Sequence, residues 1–125
     1  MAETIRQRRN NIIAKYSKYH TDLFEEFLVE LQHESYVRIV EILEADNMPM
    51  ADIIDLVVYG HFEFVEKAYT PEDVARWYLQ DEINIMPSEF PSRYLRSERV
   101  IEDMKADGYN WIPLDPQGYL IYRRI

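Results

Sequence analysis

Glu30 and His33 stand three residues apart, the spacing that sets two metal ligands on one helix face in di-iron bundles. Such a site needs a second Glu-x-x-His and two further glutamates at matched depth, and no second Glu-x-x-His occurs. The pair therefore reads as two solvated polar side chains. His20, His33 and His61 do not fall in zinc-ligand spacing, and the absence of cysteine removes thiolate sites, disulfides and a cysteine nucleophile. Three glycines form no phosphate-cradling loop, and no Gly-x-Ser-x-Gly elbow is present. With 23 acidic residues in 125, carboxylate pairs arise by chance. No metal, no cofactor and no enzyme activity is expected. What remains is charge chemistry: Ser92, Arg93, Arg96, Arg99, Lys105, Arg123 and Arg124 are residue types that hold phosphates, and arginine also reads guanine edges.

The elements that carry these residues are legible. Ser92 after Pro91 is a ready N-cap, Leu95, Val100, Ile101 and Met104 fall near helical spacing, and Gly108 supplies a left-handed stop. A short amphipathic helix is expected there. Tyr109 to Pro113 and Tyr119 to Arg123 are rich in aromatic and branched residues and flank Asp115-Pro116-Gln117-Gly118. That tetrapeptide suits a type I turn, so a β-hairpin is expected.

Helix, glycine, strand, tight turn, strand is the second half of a winged-helix domain. The run Arg99-Val100-Ile101-Glu102-Asp103-Met104-Lys105-Ala106-Asp107-Gly108-Tyr109, with Gln117-Gly118-Tyr119-Leu120-Ile121, resembles the end of winged helix-turn-helix DNA-binding domains. The resemblance covers about the last 35 residues. It implies that Ser92, Arg93, Arg96 and Arg99 face a DNA groove, with Arg93 or Arg96 on guanine edges. It also implies that Arg123 and Arg124 at the end of the wing grip the backbone, with Tyr119 or Tyr122 packed on sugar, and that Lys105 joins the nucleic-acid-binding set. The eight residues Asn84 to Pro91 depart from the usual turn of three or four. Either the helix from Pro71 or the helix from Pro49 can then be the supporting one.

A chain of 125 residues suits one domain with its own core, divided into an N-terminal helical part (1–69) and a winged-helix-like part (70–125). The fold class expected is mainly α, a helical domain that ends in a helix plus a C-terminal β-hairpin (α+β). An apolar fraction of 47% and a charged fraction of 30% are ordinary for a soluble protein. No secretory signal or membrane-length apolar run is visible, and cysteine-free composition fits the cytoplasm. Net charge is −9, yet the basic residues gather at the two ends around an acidic middle.

In chain order, Thr4 to about Tyr19 reads as a helix whose basic residues are either a solvated face or a phosphate-tracking arm. Thr21-Asp22 and Ser35 are candidate caps for an apolar stretch from Leu23 to Leu43, which is one helix bent near His33 or two helices. Its apolar stripe suits a core or a homodimer seam. Asp46-Asn47-Met48-Pro49 is a break, Pro49 suits the first turn of the next helix, and Met48 and Met50 read as core. Residues 61–65 fit a helix or a short strand equally. Thr70-Pro71-Glu72-Asp73 is the strongest helix start.

Two functions follow. One is a small winged-helix-like regulator that binds double-stranded DNA. The other is an acidic protein-protein interaction module whose composition is similar to that of phage-type anti-defence or DNA-mimic inhibitors, with the ten tyrosines supplying interface area.

Overall fold

Thr4 opens the first helix with a capping box: its hydroxyl accepts from the Gln7 amide at 3.1 Å while the Gln7 side chain accepts from the Thr4 amide at 2.8 Å. In this computed structural model, which describes residues 3–18, 22–84 and 97–125, that helix is α1 (Ile5–Tyr16). It is followed by α2 (Phe24–Glu30), α3 (Glu34–Ala45), α4 (Met50–Tyr59), β1 (Gly60–Val65), α5 (Pro71–Trp77), a π turn (Tyr78–Glu82), α6 (Ser97–Ala106), β2 (Asn110–Pro113) and β3 (Tyr119–Arg124). The fold is mainly α with a small antiparallel sheet, α+β. No helix among the described residues is long and apolar enough to cross a membrane. The chain divides into two units, Met1–His61 with Ile125, and Phe62–Arg124.

In the N-terminal unit, the stretch from Leu23 to Leu43 is two helices. The N-cap of α2 is Leu23 and that of α3 is His33, neither with a side-chain cap bond, so Asp22 and Ser35 do not cap as expected; Thr21 lies outside the described residues. Glu30 ends α2 and His33 precedes α3, which separates the pair that one continuous helix would have set on a single face. Tyr16 stacks on Phe27 with centroids 5.1 Å apart, and Leu31, Val37, Val40, Leu43, Ile53 and Ile54 complete the buried set. Asn47 at φ +64° ends α3, with Met48 N–H donating to the Leu43 carbonyl and Asn47 N–H to that of Glu44, a Schellman closure. Pro49 is the N-cap of α4 rather than a first-turn residue. Met48 and Met50 are half-buried, because they sit at this junction and not on the inward stripe.

In the C-terminal unit, Thr70 caps α5 through a box closed by Asp73, with Pro71 in the first turn. The helix then widens: Ile83 N–H donates to the carbonyl of Tyr78, five residues back, at 2.9 Å. Val74, Ala75, Tyr78 and Leu79 pack with Val100 and Met104 of α6 and with Tyr109, Tyr119 and Ile121 of the hairpin. Gly108 at φ +88° ends α6 as its sequence implies, and Tyr109 N–H returns to the Met104 carbonyl at 3.0 Å.

Residues 61–65 belong to a strand, and the sheet order is β1-β3-β2. Strands β2 and β3 pair antiparallel with Asn110 opposite Tyr122 and Pro113 opposite Tyr119. The connecting loop differs from the expected turn. The Asp115–Pro116 bond is cis, which a type I turn does not contain, and Leu114 N–H closes the loop on the Gly118 carbonyl at 2.9 Å. Gly118 passes so close to Val65 and Glu66 that an added Cβ would lie 3.1 Å from the Val65 carbonyl oxygen.

Candidate nucleic-acid interface

Three of the four basic residues of α1, Arg8, Arg9 and Lys15, serve the packing of their own unit. Arg8 is bidentate on Glu41, Lys15 pairs with Glu44, and Arg9 donates to the Leu31 and Gln32 carbonyls at 2.7 and 3.2 Å, covering the end of α2. These contacts displace the phosphate-tracking arm as a reading of Arg8, Arg9 and Lys15. A groove of about 270 Å³ between α1 and α3 is walled by the same two ion pairs.

In the C-terminal unit, Ser92, Arg93 and Arg96 lie outside the described residues. Arg99 is exposed on α6, 3.9 Å from Glu102. Glu98 and Lys105 share that exposed face, so the described part of α6 alternates in sign rather than forming a positive rod. The unit holds eight basic and twelve acidic residues, which leaves any phosphate contact to depend on local placement.

That placement is ordered around Tyr109. The end of α6 and the start of β2 are joined by the left-handed Gly108, which turns Tyr109 inward against α5 and the π turn. Trp77 and Tyr78 meet its ring edge-on at 6.2 and 5.6 Å, and its hydroxyl donates to Glu82 at 2.7 Å. Burial, then the Glu82 hydrogen bond, push the phenol up to about 12. The Arg123 guanidinium carbon lies 4.7 Å from the centroid of the same ring. Lys105, in the last turn of α6, sits 5.7 Å over Trp111. Tyr78 donates to Asp107 at 3.0 Å.

The structure thus brings Lys105 and Arg123 onto neighbouring aromatic rings. Tyr119 is 9% exposed within the core, where no nucleic-acid sugar can reach its ring face, while Tyr122 stacks on Phe62 at 6.2 Å. The strand register sets Arg123 and Arg124 at the base of the hairpin, beside Asn110, and not at its loop. That loop carries Leu114, Asp115, Pro116 and Gln117 and no cation. Tyr109, Trp111, Asp107 and Glu82 were not singled out from sequence as site residues. The one usable signal was Tyr109-x-Trp111, two aromatics two positions apart at the start of an expected strand whose partner ends in cations.

Among the described residues no three His, Asp or Glu side chains converge to hold a metal ion. Comparisons with protein-family models, with curated proteins and with solved structures return no match.

Proposed function

We propose that the chain is a small, non-enzymatic, cytoplasmic regulatory protein of winged-helix type that binds double-stranded DNA. The observation that carries this reading is connectivity: strand, helix, helix and hairpin follow in order from β1 to β3, with β1 beside β3. A winged-helix domain has this succession, and its second helix is the one offered to the groove. Here that helix is α6, with Arg99 and Lys105 exposed along it and Arg123 and Arg124 at the adjoining hairpin base. The residues just before α6 add Arg93 and Arg96 in the chain.

The test is titration of random-sequence duplex DNA at low salt by anisotropy. Binding whose log-log salt slope falls by about two in the Arg93→Ala/Arg96→Ala variant is the expected result. An absence of binding at the lowest salt tolerated overturns it.

The second reading, an acidic protein-interaction module, draws on a different observation. The chain carries a net charge of −9, Arg8 and Lys15 are paired with Glu41 and Glu44, and Tyr69 is 68% exposed next to Thr70. Val29, 65% exposed on α2, is where a homodimer through the N-terminal helices would meet. Sedimentation velocity of the intact chain separates monomer from dimer.

A further inference from the structure

The two cation-ring pairs at the end of α6 share a geometry that plain surface charges lack. Tyr109, the residue before β2, and Trp111 within it are two positions apart and pack on the same cluster as Tyr78 and Met104. Arg123 lies over the first ring and Lys105 over the second, so two cations 18 residues apart in sequence are each held on a ring of this short segment. The Arg123 stem passes Gly108 at ordinary contact distance, its Cγ 3.7 Å from where a Cβ would stand.

Neither cation is ion-paired among the described residues, whereas Arg8, Lys15, Arg76 and Arg99 all are. A guanidinium lying over a ring engages its flat side and keeps the N–H groups at its edge for an acceptor. Holding both side chains on rings also lowers the rotamer entropy lost when a ligand is gripped. The nearby carboxylates are engaged by hydroxyls: Glu82 accepts from the Tyr109 hydroxyl and Asp107 from that of Tyr78.

From this we infer that Lys105 and Arg123, pre-positioned by Trp111 and Tyr109, form a clamp for the phosphodiester backbone of a nucleic-acid strand at the base of the hairpin. The inference rests on the DNA-binding reading and adds to it a defined phosphate contact with Trp111 as a positioning residue. It also gives Asp107 an opposing part, since its negative charge lies beside the clamp.

The experiment uses the full chain and a random-sequence duplex, with far-UV circular dichroism to verify folding of each variant. Lys105→Gln/Arg123→Gln is expected to reduce the salt slope by about two, one unit per lost phosphate contact. Trp111→Leu, which removes no charge, is expected to weaken binding roughly two- to fivefold. Asp107→Asn is expected to strengthen it. A folded double variant with the parent's affinity and slope overturns the clamp while leaving DNA binding standing. Trp111→Leu at the parent's affinity overturns the positioning role. If the parent itself binds no duplex, the regulator reading and the clamp fall together.

Discussion

Tyr109 concentrates the energetics of the C-terminal unit in one ring. Its phenol is held up to about 12 by burial and by the bond to Glu82, so the folded chain keeps the neutral form where the unfolded chain, near 10, has begun to ionise. The sign follows from linkage: the contribution is complete below about pH 10 and is lost as pH climbs toward 12. Urea unfolding midpoints should therefore drop over that interval, and Tyr109→Phe should flatten the drop. Asp73 works in the opposite sense. Amide donation from Tyr69 holds its carboxyl below the usual range, so its contribution is present above about pH 4 and is lost on acidification. Asp73→Ala should cost about 1 kcal/mol by thermal denaturation at pH 7, the loss of a helix cap. These two residues also mark the limit of reading from sequence. The Thr70 cap lies beside its helix and was visible; the bonds of Tyr109 and Tyr78 reach across 27 and 29 residues and had no local trace.

The C-terminal stops of α3 and α6 were well read because a single residue fixes each. Gly108 takes the left-handed backbone that its place after Met104 demands, and Gly108→Ala should destabilise by about 1–2 kcal/mol in chemical denaturation. Asn47 does the same for α3, and Asn47→Gly should be close to neutral. Strands were less legible. The alternation in β1 is too short to separate from a helix, and its pairing is settled by β3 more than fifty residues later. The hairpin itself followed from composition, whereas the isomer at Asp115–Pro116 left no mark in the residue types. The expected caps at Asp22 and Ser35 failed for a related reason: packing of Phe27, Leu31 and Val37 fixed where those helices begin, against local preference.

For the whole molecule, electrostatics decides how any nucleic acid is approached. A chain with net charge −9 repels DNA at long range, and its sequence pI of about 4.8 gives the direction of relief. Affinity for duplex DNA at low salt should rise as pH is lowered from 7.5 toward 5.5, measured by anisotropy at constant ionic strength. Against that background, the wide turn at Tyr78–Glu82 has a consequence for inheritance. It accommodates one residue more than a regular coil, and losing a single codon there, Gln80 for instance, would let the coil close normally. Because the wide turn already absorbs that residue, the positions on either side of it would keep about their present faces, and Glu82 would stay on the side of Tyr109. An in-frame deletion of Gln80 should therefore be better tolerated than one of Glu72 in the regular coil before it, a contrast that a deletion scan of this segment would reveal at once.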